Sequence, residues 1–147
     1  MENKSKSLEL NEENMNVPTY SYQLLRHMLI PELLGKEEEM ILYWAGKSIA
    51  RKLYEDGVPE LSSFFEQASW GTLSLLKEKR TEKQYELIAP LMEKDRPLTL
   101  ECGFLAQWTE FQQGFITEAT YELKKKKPCT YRIIVRWDKG DPVGDRT

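Results

Sequence analysis

The stretch Cys102–Tyr121, CGFLAQWTEFQQGFITEATY, changes its hydrophobic period at Gly114. Before that glycine the apolar residues recur every three or four positions. Leu98, Cys102, Leu105 and Thr109 share one side of a helix, and Leu100, Phe104, Trp108 and Phe111 share the neighbouring side. After it, Phe115, Thr117, Ala119 and Tyr121 recur every two, the period of a strand. The apolar arc is wider than a surface helix needs, so this helix is expected to be the central one.

The strand begun at Phe115 runs to Leu123 and turns at Lys124–Pro128. Cys129, Tyr131, Ile133, Val135 and Trp137 then alternate on a return strand. Glu118, Thr120 and Glu122 fall on the side opposite the apolar set, as do Arg132 and Arg136, so that face is expected to be open. Upstream, WGTLSLLK from Trp70 and QYELIA from Gln84 read as two short strands around a charged turn.

Three helices are expected before that hairpin. The first starts near Thr19, with Leu24 and Met28 and their neighbours Leu25 and Leu29 as its apolar stripe, is bent by Pro31 and is capped by Gly35. The second follows Glu37–Glu39, carboxylates suited to a helix N-terminus, and carries Ile41, Ala45, Ile49 and Leu53, widened by Leu42 and Gly46, as far as Asp56-Gly57. The third follows Pro59 with Leu61, Phe64, Phe65 and Ala68 on one side. The order α-α-α-β-β-α-β-β implies an α+β sandwich: a four-stranded antiparallel sheet with helices packed on one face. Residues 1–17 are expected to be a disordered leader, 18–138 a single domain, and 139–147 a flexible tail.

At 147 residues the chain fits one domain burying roughly 70% of its unfolded surface. Its net charge of −3 gives no general attraction to nucleic acid. No apolar run approaches the roughly 18 residues that span a bilayer, and the polar start lacks the apolar core of a signal peptide. With Cys102 and Cys129 as the only cysteines, reduced thiols and a cytoplasmic location are the expectation.

Catalytic chemistry finds little support. His27 is the only histidine and is expected to pack or face solvent. The cysteines have no Cys-x-x-Cys spacing, so no metal is expected, and no cofactor-binding motif appears. Lys124–Lys127 read as a solvated turn that keeps strand edges apart, with an anion or lipid-headgroup contact as the alternative. Gly46 and Gly103, inside helices, each cost about 1 kcal/mol relative to Ala, so a neighbouring helix or a ligand is expected to pack against them.

Two stretches carry a resemblance. ILYWAGKSIARKL, Ile41–Leu53, resembles the Gly-centred second helix of vinyl-reductase-type ligand-binding domains, which share a fold with core subunits of the TRAPP vesicle-tethering complex. CGFLAQWTEFQQGFITEATY, extended through KPCTYRIIVRW, resembles their C-terminal part. The whole chain looks most like the YslB family of Bacillus-type bacteria, over about Lys36 to Trp137. The resemblance implies a domain, commonly dimeric, that holds an apolar ligand or acyl chain between helices and sheet. Three departures stand out: Tyr121 replaces a cysteine after Glu118, Lys125-Lys126 replace a Gly-Asp turn, and Gln107 and Trp108 replace small residues on the central helix.

The expectation is a non-enzymatic ligand-binding or scaffold domain, homodimeric through the first helix or the open sheet face. A small hydrophobic ligand would sit among Trp44, Ile49, Phe65, Cys102, Phe104 and Trp108, with Cys102 as a thiol that could be acylated. The alternatives are a protein–protein adaptor with a vestigial pocket and, behind it, a tetrapyrrole- or hydrocarbon-related enzyme.

Overall fold

A computed structural model describes residues 16–57 and 60–144. Nearly all of the expected leader, and the helix start at Pro59, lie outside the described residues.

The first helix is built from Thr19–Leu24, a π-helical stretch Leu25–Leu29 and Ile30–Leu34, with Pro31 in the first turn of the last segment. Gly35, at φ 56°, ends it in the left-handed half of backbone space where a side chain is strained. A 3-10 turn, Gly35–Glu37, leads into the second helix, Glu38–Glu55. The third helix is Leu61–Gln67 and the central helix is Thr99–Gln113. Gly114, at φ 80°, caps the central helix as the change of period requires.

The strands are β1 (Thr72–Lys79), β2 (Glu82–Ile88), β3 (Phe115–Lys126) and β4 (Cys129–Pro142). They form one antiparallel sheet in the order β1-β2-β4-β3, so the fold class and element order are those the pattern implied. β4 runs on past the expected domain end at Asp138, and Pro142 pairs with Phe115. One sheet face carries Tyr85, Leu87, Ala119, Tyr131, Ile133 and Val135, all buried beneath the helices. On the other face Glu118 lies opposite Arg136 and Glu122 opposite Arg132, as expected, and Arg136 Nε donates to Glu82 Oε1 at 2.7 Å.

The outer edge of β3 is partly covered. On β3 the Thr117 N–H donates to Glu110 Oε1 and the Ala119 N–H to the Tyr43 hydroxyl, each at 3.3 Å. Side chains from the two long helices thus take up edge donors that a further strand would need.

Two helical stripes are placed otherwise than their periodicity implied. On the second helix the buried line is Glu38, Leu42, Gly46 and Ala50, while Ile41 is exposed and Ala45, Ile49 and Leu53 are half-buried. On the first helix Leu24, Leu25, Met28 and Leu29 all face solvent, and the buried residue is Arg26. Apolar spacing locates a stripe; which side meets the body depends on partners far along the chain.

Candidate functional site

The second and central helices cross at two glycines. A Cβ on Gly46 would stand 2.1 Å from the Leu100 carbonyl oxygen, and one on Gly103 would stand 2.0 Å from that of Tyr43. Both contacts are far inside van der Waals range, so each glycine is required by the opposite helix's backbone. The close approach follows from omitting two side chains, and it explains glycines that otherwise weaken a helix. Thr99 Oγ1 donates to Glu39 O at 2.6 Å, linking the same two helices at the start of the central one.

Beside the crossing, the interior is filled with rings. Phe104 is fully buried and stacked between Phe64 and Trp108, with centroids 4.6 and 5.7 Å away and interplanar angles of 8° and 13°. Phe65 and Trp70 meet Phe104 edge-on at 5.9 and 5.5 Å. Tyr54 extends the group, edge-on to Trp108 and tilted against Phe111. Such pairs contribute about 0.5–1.5 kcal/mol each beyond the area they bury.

Phe65, Cys102, Phe104 and Trp108 therefore lie in one core, with Ile49 packed against its margin. Trp44 lies apart. It is 58% exposed and lines a surface hollow of about 440 Å³ with Lys36, Glu39, Met40, Tyr43 and Thr99. The Lys47 ammonium stands 5.8 Å from the Trp44 ring centroid and 5.9 Å from that of Tyr43. Cys102 is buried; desolvation, with the Glu101 charge adding, pushes its thiol well above the usual cysteine range. It stays protonated at neutral pH, the opposite of a nucleophilic thiol. Among the described residues no three His, Cys, Asp or Glu are grouped to hold a metal ion.

The polar residues of consequence are ones that the spacing of apolar residues does not single out. Arg26 reaches under the first helix to Glu101 of the central helix, Nη2 to Oε1 at 2.8 Å, with both side chains almost wholly excluded from water. The Tyr22 hydroxyl accepts from Arg26 Nη1 at 3.1 Å. Next to this pair, Arg96 binds the Glu38 carboxylate, and its Nη2 donates to the Arg26 carbonyl at 3.1 Å. Arg96 Nε also donates to His27 Nδ1 at 3.2 Å, so His27 carries its proton on Nε2 and donates it to Leu91 O at 2.9 Å. The histidine is a structural tie. A signal was present in the sequence: an arginine among leucines at 24–29, and a glutamate inside the broadest apolar arc of the chain.

The family model for "Protein of unknown function (DUF2507)" matches residues 19–136. The chain belongs to this family. It is 36% identical over 140 residues to "Uncharacterized protein YslB" of Bacillus subtilis, covering 91% of this chain and 93% of that protein. It is 29% identical over 105 residues to "Uncharacterized protein MJ1642" of Methanocaldococcus jannaschii, covering 69% and 65%. Among solved structures, a vinyl-4-reductase family protein from Methanocaldococcus jannaschii superposes with TM-score 0.57 at 19% identity, covering 85% of each chain. A trafficking protein particle complex subunit 3 from Naegleria fowleri, covalently bound to palmitic acid, gives 0.48 at 16% identity, covering 86% of this chain and 95% of that one. The vinyl-4-reductase match establishes the fold of this DUF2507 domain and leaves its chemistry to its own residues.

Proposed function

We propose that this DUF2507 domain is a non-enzymatic cytoplasmic scaffold that works as a homodimer, with the first helix as the contact between copies. The carrying observation is the placement of Leu24, Leu25, Met28, Leu29 and Leu33, all exposed on one short element while its arginine is buried. An apolar row of this kind marks an interaction surface. Two copies of it form a self-matched contact about a two-fold axis. The open sheet face, lined by Glu118, Glu122, Arg132 and Arg136, is the weaker candidate because it is charged, with Arg136 already paired to Glu82 and Glu122 to Lys124.

Sedimentation equilibrium tests the reading. The expected result is a dimer at micromolar concentration that Leu25→Asp with Met28→Asp converts to a folded monomer. A wild-type chain that sediments as a monomer would rule it out. A dimer that survives both substitutions would keep the scaffold and move its contact elsewhere.

A second reading, supported by the exposed indole of Trp44 beside Met40 and Tyr43, is reversible binding of a small apolar ligand in that hollow. Binding among Phe65, Cys102, Phe104 and Trp108 would require Phe104 to leave its stack. Native mass spectrometry with added fatty acid separates the two sites. Uptake abolished by Trp44→Ala supports the surface hollow, and uptake abolished only by a substitution at Phe104 supports the interior.

A further inference from the structure

Lysines from two distant segments meet around one hollow. The loop after β2 is tied to β4 by the Ala89 N–H, which donates to Cys129 O at 2.8 Å, and it turns back on itself through Met92 N–H to Ala89 O at 3.1 Å. This sets Pro90, Met92, Glu93 and Lys94 against Lys126, Lys127, Pro128 and Cys129 around about 420 Å³. Met92 and Cys129 are buried, so the floor is apolar and anchored in the core. The rim carries three ammonium groups and one carboxylate, 3 − 1 = +2, on a chain whose net charge is −3.

Among the described residues Lys124 is paired with Glu122 at 3.2 Å, whereas no carboxylate lies within ion-pair distance of Lys94, Lys126 or Lys127. Protecting a hairpin tip accounts for lysines in the tip itself. It does not account for Lys94, which comes from the other side of the central helix and joins the same rim. Like charges gathered over an apolar floor repel one another, and a bound anion relieves that repulsion. A phosphate monoester carries about −1.5 to −2 at neutral pH, which matches this rim better than a carboxylate does.

We propose that the hollow binds a phosphate monoester headgroup bearing an alkyl chain. Lys94, Lys126 and Lys127 hold the phosphate oxygens, and Pro90, Met92 and Pro128 cover the first methylenes. The group could arrive as a soluble alkyl phosphate or as the headgroup of phosphatidic acid in a bilayer. The two sources share this chemistry and differ in the assay that detects them.

The test uses the full chain with three probes: butyl phosphate and inorganic phosphate by calorimetry, and phosphatidylcholine vesicles with or without phosphatidic acid by co-sedimentation. Butyl phosphate binding at least about tenfold tighter than inorganic phosphate, and lost about tenfold in Lys126→Glu with Lys127→Glu, supports a soluble ligand. Capture only by phosphatidic acid vesicles, lost in the same variant, supports the bilayer source. Lys124→Glu with Lys125→Glu, which leaves the rim intact, is expected to keep affinity within about twofold. Lys94→Glu, on the other segment, must reproduce the loss and serves alone if the double variant does not fold. Absence of binding to every probe, equal weakening by the Lys124/Lys125 variant, or equal affinity for butyl and inorganic phosphate would each overturn the proposal.

Discussion

The second and first helices meet the central helix in opposite ways. The second lies backbone to backbone against it through Gly46 and Gly103, with ring packing alongside. The first is tied to it through Arg26 on Glu101 and to the preceding loop through His27 on Leu91 O, and turns Leu24, Leu25, Leu29 and Leu33 to solvent. Contact without side chains fixes the geometry of the core rigidly. Contact through a buried ion pair fixes position and orientation while contributing little net stability, because desolvation offsets most of the attraction. One interface builds the domain, and the other presents a surface.

Substitutions at the two interfaces should differ in size and in kind. Gly103→Val is the most severe: the added side chain meets the Tyr43 carbonyl, the helices must separate, and unfolding in urea should show a loss of at least about 4 kcal/mol. That is a large share of the 5–15 kcal/mol typical of a whole domain. A melting curve close to wild type would refute the backbone contact. Arg26→Ala should come next, at about 3 kcal/mol, because it leaves Glu101 charged and enclosed. Replacing both partners, Arg26→Met with Glu101→Leu, should recover most of that loss. If the double variant is no more stable than Arg26→Ala, the pair is not what seats the helix.

The third expectation concerns pH. Burial raises the phenol of Tyr85 to about 12 and shifts Tyr22, Tyr43 and Tyr131 in the same direction. A group whose ionisation is postponed by folding lends its full stabilisation below its ordinary value and loses it as the pH climbs toward the raised one. Stability should therefore hold to about pH 10 and fall by on the order of 2 kcal/mol by pH 12 from Tyr85, with the other three adding losses of the same sign. Absorbance at 295 nm should show these phenols ionising together with unfolding, and independent titration near pH 10 would contradict their burial. The smallest effect is expected at the outer row. Met28→Ser, measured at high dilution, should change stability by no more than about 0.5 kcal/mol, against about 2–5 kcal/mol for Leu105→Ala in the core.

The sheet and the central helix were legible in the sequence because each imposes its period on consecutive residues, and Gly114 marks where one period gives way to the other. The helix-packing glycines were legible for a similar reason, since a glycine inside a helix asks for a neighbour. The orientation of the first helix was not, because Arg26 and Glu101 are separated by 75 positions and neither registers in an apolar count. Trp44 was expected among the rings because it lies on the second helix; the line that helix buries runs through Gly46, so the indole faces away from that line. The rim of Lys94, Lys126 and Lys127 needed the loop closure through Ala89 and Cys129 before it could be read as one group.

The hydrogen bonds that Glu110 and Tyr43 make to the β3 backbone have a consequence for how copies of this molecule can gather. A strand with two of its outward donors already taken is a poorer template for fibrous growth over that stretch, so edge-to-edge addition is discouraged at Thr117–Ala119. The helical side, where Leu24, Leu25, Met28 and Leu29 face outward, offers apolar side chains in place of free backbone donors.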